Sequence, residues 1–419
     1  MKALMLLAWK SLRNRKTTAI LTVLTIAIST TLLLGVEKVR TQAKASFAHT
    51  ISGTDLIVGA RSGQVNLLLY SVFRIGNATN NIDWQSFQTL KAHKAVQWAI
   101  PISLGDSHRG FRVIGTNEDY FKYYQYGQKQ HLAFRQGSSF QSLFDTVIGA
   151  EVARKLGYHI GDQIIIAHGI SDKKFTRHDN LPFTVTGILA PTGTPVDRSV
   201  HVSLAAIEAI HVGWESGANF GHTPDAVALS QQAFQPKQIT AALLGLNSKI
   251  QTFALQRYIN TFPDEPLSAI MPGIALHELW GMMSVAEQAL MVVSVFVVIA
   301  GLLGMLSSLL TSLNERRREM AILRATGARP GWIAGLLFVE TTTLTLTGIV
   351  AGMLALYSGL FLSHSWLLDT FGLYLPVQAP SSYEWLLMGM ILIAGMLTSL
   401  IPALRAYRLS LADGMTIRI

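Results

Sequence analysis

Twelve histidines are the residues of this chain that could bind a metal, and eleven of them fall between residues 40 and 288. Two pairs flank short segments: His168 with His178, and His201 with His211. Neither pair has the i, i+4 spacing of two ligands on one helix face. His277-Glu278 opens a zinc-protease motif whose second histidine is missing. We therefore favour scattered surface histidines and predict no metal site.

Two other kinds of chemistry are excluded by motif. The chain has no Gly-x-Ser-x-Gly elbow and no cysteine, so it lacks a recognisable serine or thiol nucleophile. It also lacks the Gly-x-x-x-x-Gly-Lys-Ser/Thr run that cradles nucleotide phosphates. We predict that this chain is not an enzyme and holds no cofactor of its own.

The most specific stretch is residues 315–328, which begins with charge and ends with glycine. Met320, Leu323 and Gly327 follow helical spacing and form a narrow apolar ridge. Gly327 commonly marks a helix end, and Pro330 prevents the helix from continuing. The pattern predicts a short helix whose candidate functional residues are Glu315, Arg316, Arg317, Arg318, Glu319, Met320, Leu323, Arg324 and Gly327.

Four uncharged windows indicate a membrane protein. They are Thr17–Val36, Ala289–Leu313, Thr341–Ser363 and Trp385–Leu404. Crossing the hydrocarbon core takes about twenty apolar residues, whereas a core helix of a soluble protein rarely stays uncharged over that length. The first window is too long for a cleaved signal peptide, so we predict an uncleaved anchor.

The positive charge sets the orientation of these windows. The net charge is +9, and the segments before the first window, between the second and third, and after the fourth carry +5, +3 and +2. Short basic segments stay in the cytoplasm, which places both termini inside and the large central block outside. Since the rest of the chain is near neutral, we predict no nucleic-acid partner.

These signals divide the chain into nine predicted segments. They are a cytoplasmic amphipathic helix facing the lipid (1–16), transmembrane helix 1 with a stalk extension (17–39), an extracytoplasmic domain (40–284), transmembrane helix 2 (285–313), a cytoplasmic helix and loop (314–332), transmembrane helix 3 (333–363), a short outside loop (364–384), transmembrane helix 4 (385–408) and a cytoplasmic tail (409–419).

The central block is soluble in character and predicts an α+β domain. A strand at 146–149 precedes a helix at 150–156 that Gly157 closes, and the run 163–167 is β-rich. A further strand, Phe183–Leu189, leads into a Pro/Gly turn. At both ends of the block, residues 36–48 and 274–288 keep helical spacing, so we expect the first two membrane helices to continue outward as a stalk.

Gly348 and Gly352 form a Gly-x-x-x-Gly pair within the third window. Such a pair lets a second helix approach closely, which makes dimer packing one hypothesis for these residues.

The stretch 315–328 closely resembles the cytoplasmic coupling helix of ABC permeases of the MacB and FtsX class, also called the type VII or mechanotransmission class. The resemblance extends to the basic lead-in Trp9–Lys16, the outside segments 148–162, 183–189 and 193–198, and the ending Pro402–Arg408. It covers most of the chain in the right order. The block 40–284 is accordingly expected to be a MacB-like periplasmic core domain.

The resemblance implies a mechanism and partners. Such permeases work as pairs, so a second copy or a paralogue is expected, in the bacterial inner membrane. Each would bind a cytoplasmic ABC ATPase that supplies ATP and Mg²⁺, with the coupling helix seated in a groove of that ATPase.

Two functions remain open for this architecture, besides the zinc-handling role that rests only on the histidines. In the first, the periplasmic domain drives export or extraction of a lipoprotein or small molecule. In the second, it moves nothing and signals to a periplasmic partner protein, as FtsX-like members do.

Overall fold

The structure is a computed structural model that describes residues 10–169, 181–212, 226–315, 322, 324–371 and 378–408. The chain forms two compact units. The helical unit consists of Met1–Ala43 and Met283–Ile419, and the sheet unit consists of Lys44–Met282. Residues 1–9 of the predicted amphipathic helix and the predicted tail 409–419 lie outside the described residues.

In chain order, the helices are α1 (Lys16–Thr50), α2 (Gln64–Leu68), α3 (Trp84–Lys91), α4 (Asp119–Tyr123), α5 (Ala150–Leu156), α6 (Leu204–Ile210), α7 (Ala226–Ser230), α8 (Thr252–Asn260), α9 (Pro272–Glu315), α10 (Pro330–Phe371), α11 (Ser382–Thr398) and α12 (Leu400–Arg408). A π-helical turn follows α2 at Leu69–Phe73, and 3₁₀ turns occupy Pro195–Arg198 and Lys249–Gln251.

The strands are β1 (Leu56–Ala60), β2 (Ile82–Asp83), β3 (Val96–His108), β4 (Phe111–Thr116), β5 (Gln125–Tyr126), β6 (Gln130–His131), β7 (Phe134–Gly137), β8 (Asp145–Ile148), β9 (Gln163–Ile164), β10 (Ala167–His168), β11 (Phe183–Leu189), β12 (Ser199–Ser203), β13 (Gln238–Ile239), β14 (Ala241–Leu246) and β15 (Leu267–Ile270).

Four stretches of helix in the described chain are long and apolar enough to cross a membrane. They lie at Lys16–Thr50, Pro272–Leu313, Gly331–Ser363 and Ser382–Arg405. The four uncharged windows predicted from the sequence fall within them. Helix α1 continues past Val36 to Thr50 and α9 begins at Pro272, so both helices extend beyond the first two uncharged windows.

The last spanning stretch is divided between α11 and α12. Pro402 has no N–H to donate to the carbonyl of Thr398, which is where α11 ends. At its other end, α11 begins with a capping box, in which the Ser381 Oγ accepts from the Glu384 N–H and the Glu384 carboxylate accepts from the Ser381 N–H. Helix occupies parts of the predicted loop 364–384, since α10 continues to Phe371 and α11 begins at Ser382.

The sheet unit is an α+β domain, as predicted. Eleven strands of its described part form one sheet in the order β15-β1-β14-β3-β4-β12-β8-β11-β7, with β10 beside β3 and β9 beside β11. Neighbours are antiparallel except for β12 with β4 and β11 with β8. Three clusters of buried apolar side chains pack on this sheet.

Local patterning predicted several of these elements closely. Helix α5 ends at Leu156 and is followed by Gly157, whose φ of 69° suits glycine, and β11 has the predicted limits. The predicted β-rich run 163–167 is instead two short strands. It divides because β9 pairs with β11 while β10 pairs with β3, so the two halves have different neighbours.

Two segments noted in the sequence meet in the sheet unit. A Cβ at Gly149 would lie 2.3 Å from the carbonyl oxygen of Val196 and 2.4 Å from that of Asp197. The Asp197 carboxylate in turn accepts hydrogen bonds from the N–H groups of Thr192 and Gly193, each at 2.8 Å. The glycine and the aspartate therefore hold the end of β8 against the Pro/Gly turn.

His201 is fully buried, so the surface interpretation of the histidines is wrong at this position. Its Nδ1 lies 3.1 Å from the Val147 carbonyl oxygen, whereas its Nε2 has no hydrogen-bond partner among the described residues. The rings of Tyr120 and Phe121 pack against the imidazole, with their ring centres 5.1 and 5.8 Å from its centre. Burial lowers the pKa of His201 to about 3, and the positive charge of Arg74 acts in the same direction.

Because the His201 imidazole is buried, we predict that the sheet unit becomes less stable as the pH falls. An unfolded histidine has a pKa near 6.5, so the unfolded state takes up this proton first as the pH falls. The free energy of unfolding should decrease between pH 6.5 and 3, by up to about 5 kcal/mol from this group. In His201→Phe that loss should be absent, which thermal unfolding of the full chain in detergent from pH 7 to pH 4 can measure.

A matched control is His159→Phe, because the side chain of His159 is 82% exposed. It should keep the wild-type dependence on pH. An unchanged acid dependence in His201→Phe would show that His201 does not titrate with unfolding.

Candidate functional site in the helical unit

Helix α1 contacts α9 through small and hydroxyl residues. The Ser29 Oγ donates to the carbonyl oxygen of Val297 at 3.2 Å, and a Cβ at Gly301 would lie 2.7 Å from that same Oγ. Thr22 and Ser308 approach within 3.4 Å through their hydroxyl oxygens. Such contacts are typical of membrane helices, where apolar side chains gain nothing by leaving lipid for one another.

Helix α1 also lies against the Gly-x-x-x-Gly pair of α10. A Cβ at Gly348 would lie 2.6 Å from the Cγ2 of Ile26, and one at Gly352 would lie 2.7 Å from the carbonyl oxygen of Ala27. The Thr31 hydroxyl donates to the Gly352 carbonyl oxygen at 3.0 Å. The helix that uses this close approach is therefore α1 of the same chain, and it occupies the space that dimer packing at these glycines would need.

A buried ionic group that the sequence patterns did not predict follows the first uncharged window. Glu37 and Lys38 are 1% and 4% exposed. The Lys38 Nζ lies 3.4 Å from the Glu384 Oε1 and donates to the Gln378 carbonyl oxygen at 3.2 Å. The signals available in the sequence were the charges directly after Val36 and the Ser381-x-x-Glu384 capping pattern.

The predicted coupling segment, 314–332, is described only in part. Helix α9 ends at Glu315, and six predicted site residues lie outside the described residues: Arg316, Arg317, Arg318, Glu319, Met320 and Leu323. The Gly327 N–H donates to the Arg324 carbonyl oxygen at 3.0 Å, and the φ of Gly327 is 98°. This left-handed residue is where the pattern predicts the segment to turn, and α10 then begins at Pro330.

The described residues contain no group of three histidine or acidic side chains that could hold a metal. His211 does lie near a carboxylate, with its Nε2 3.9 Å from the Asp106 Oδ1. His178 lies outside the described residues, as does the side chain of His168.

Two family models match the chain, and together they cover most of its length. The model described as the MacB-like periplasmic core domain matches residues 19–244. The model described as the FtsX-like permease C-terminal domain matches residues 291–411. No curated protein sequence matched.

The fold and these matches define the class of protein as a membrane permease of an ABC transporter. The chain belongs to the MacB/FtsX-like permease family, as its sequence resemblance predicted. It is a membrane protein with a periplasmic domain, and permease components of this kind are not themselves catalytic.

Two solved structures are similar to part of the chain. The periplasmic region of MacB from Actinobacillus actinomycetemcomitans shares 11% identity over 55% of this chain and 94% of its own, with a TM-score of 0.34. The extracellular domain of the noncanonic ABC-type transporter YknZ from Gram-positive bacteria shares 13% identity over 52% of this chain and 99% of its own, with a TM-score of 0.30.

Because α1 packs against α10, we predict that replacing two glycines of α10 by alanine has different effects on stability. Gly352→Ala places a methyl group against Ala27 and Thr30 of α1, whereas a Cβ at Gly359 meets nothing within 4 Å. Overpacking costs about 1–3 kcal/mol, so Gly352→Ala should lower the unfolding temperature in detergent. The control Gly359→Ala should not. Equal unfolding temperatures in the two variants would contradict the observed contact.

Proposed function

We propose that this permease couples ATP hydrolysis by a separate cytoplasmic ATPase to motion of its periplasmic domain. The motion would drive export or extraction of a lipoprotein or small molecule from the periplasm or the outer leaflet. The observation that supports this proposal best is the length of α1 and α9. Each continues without a break beyond its uncharged window, and we propose that both helices transmit displacement from the membrane to the periplasmic domain.

The orientation is inferred from charge. We place the chain in the bacterial inner membrane with both termini and the segment 314–332 in the cytoplasm, because these segments hold the excess of Lys and Arg. The sheet unit then lies in the periplasm. This arrangement puts the coupling segment on the side where ATP is available.

The coupling segment is the proposed contact with the ATPase. Its apolar ridge of Met320, Leu323 and Gly327 would enter a groove of the ATPase, and its arginines would face acidic residues at the rim. ATP and Mg²⁺ would be bound by the ATPase, since the chain has no phosphate-binding loop. We also propose that a second permease copy or a paralogue completes the transporter.

A second candidate function is signalling to a periplasmic protein partner. It is supported by the match of residues 291–411 to the FtsX-like permease model. The two candidates share the ATPase and the coupling segment but differ in whether a substrate moves. The genes beside this one discriminate between them: an outer-membrane channel or a second permease favours transport, and a cell-wall hydrolase favours signalling.

Both candidate functions require the coupling segment to bind the ATPase, and a charged residue in its apolar ridge tests this contact. Leu323→Arg should reduce co-purification of the ATPase at least tenfold, because a guanidinium would have to be buried in the apolar contact. ATP-dependent activity should fall with it. The measurement is ATPase recovered per permease after purification from membranes.

The control is Ala325→Arg, which lies on the opposite face of the same predicted helix. This variant adds the same charge and should keep wild-type binding of the ATPase. If Leu323→Arg binds and activates the ATPase like the wild type, the coupling-helix assignment is wrong.

A further inference from the structure

One turn of α1, Glu37 to Arg40, contacts both α10 and α11. The Lys38 ammonium lies 3.4 Å from the Glu384 carboxylate of α11. It also lies 5.6 Å from the ring centre of Tyr357 of α10. The Tyr357 hydroxyl and the Lys38 ammonium both donate to the Gln378 carbonyl oxygen, at 3.1 and 3.2 Å.

The other two charges of this turn pair with each other. The Arg40 guanidinium donates to both carboxylate oxygens of Glu37, at 2.8 and 3.0 Å. Arg40 also lies within electrostatic range of Glu287 of α9 and of Tyr383 of α11. The buried charges of this turn therefore form one ionic group with α11, beside the Tyr357 ring of α10.

Such a group is not required for stability alone. Taking charges out of water is costly, and apolar side chains of similar volume commonly stabilise a protein as well or better. A buried pair does, however, penalise every arrangement in which the partners separate, because each would leave an unpaired charge in a medium of low dielectric constant. What it provides is a single permitted register between helices.

We propose that Lys38 and Glu384 form an ionic latch that fixes α1 to α11, beside Tyr357 of α10, and makes that level the pivot of the α1 lever. The proposal rests on the proposed function, since a pivot matters only if α1 transmits motion. Below the latch, α1 packs on α9 and α10 through glycine and hydroxyl contacts. Above it, α1 continues to Thr50.

The test variant is Lys38→Met/Glu384→Gln, which removes both charges together. Methionine keeps the length of the lysine stem, and glutamine can still accept from the Ser381 N–H and preserve the capping box. The single variant Lys38→Met leaves the buried Glu384 carboxylate without its ammonium partner. The control is Lys94→Met, at an exposed position of the sheet unit.

Stability identifies the ion pair. We expect Lys38→Met to have the lowest unfolding temperature in detergent, and the double variant to recover most of the loss. Lys94→Met should match the wild type. A double variant that is as unstable as Lys38→Met would show that the two side chains are not coupled and would overturn the latch.

Spin-label distances test the pivot directly. The chain has no cysteine, so Val39→Cys and Leu386→Cys, which are 48% and 54% exposed, provide the only labelled sites. In nanodiscs without nucleotide, the distance distribution between the labels should be narrow in the latched chain and at least twice as broad in the double neutral variant. Equal widths would overturn the proposal.

The same labels separate the latch from the proposed function. With the ATPase present, the distance between the labels at positions 39 and 386 should stay constant through ATP turnover in the chain that keeps Lys38 and Glu384. In the double variant, the ATP-dependent motion of the periplasmic domain should fall at least fivefold. If the double variant loses this ATP-dependent motion while its distance distribution between the labels stays narrow, the pivot is overturned. If the latched chain shows no ATP-dependent periplasmic motion at all, the proposed function fails, while the nucleotide-free distances still decide whether the latch exists.

Discussion

The position of α1 depends on the close approach that Gly348 and Gly352 allow. Within a bilayer, apolar side chains contact lipid as favourably as they contact one another, so helices associate where backbones can come near and polar groups can bond. The two glycines of α10 supply the first condition, and the bond from Thr31 to the Gly352 carbonyl supplies the second. Ser29 and Gly301 repeat this arrangement toward α9. These contacts determine which face of α1 is presented to lipid.

The same physical condition explains why the buried Lys38 and Glu384 of this unit are paired. Lys38 and Glu384 are each held by hydrogen bonds as well as by each other, which reduces the cost of removing them from water. In the sheet unit the solution differs, because Asp197 is satisfied by backbone N–H groups and His201 stays neutral. A membrane helix has no free backbone donors in its interior, so its buried charges need side-chain or helix-end partners.

Much of the fold was predictable from the sequence because its signals are local. Uncharged windows, basic segments, the glycine after α5 and the limits of β11 each depend on a short run of residues. The partner of the Gly-x-x-x-Gly pair was not predictable, since spacing shows that a helix can approach but not which one. The division of residues 163–168 between β9 and β10 and the burial of His201 likewise depend on pairings with distant strands. The assignment of the candidate coupling residues rests on their sequence pattern and on the family resemblance.

The strand pairing of β1 constrains how the sheet unit is made. This strand lies between β14 and β15, so although it is synthesised soon after α1, it has no paired strand until the chain reaches Ala241 and is paired on both sides only at Ile270. Closing so long a loop is slow, and unpaired apolar strands are prone to aggregate. The sheet can therefore be completed only when nearly all of it has been exported, shortly before α9 enters the membrane. Newly made chains should depend on protection by chaperones during that interval.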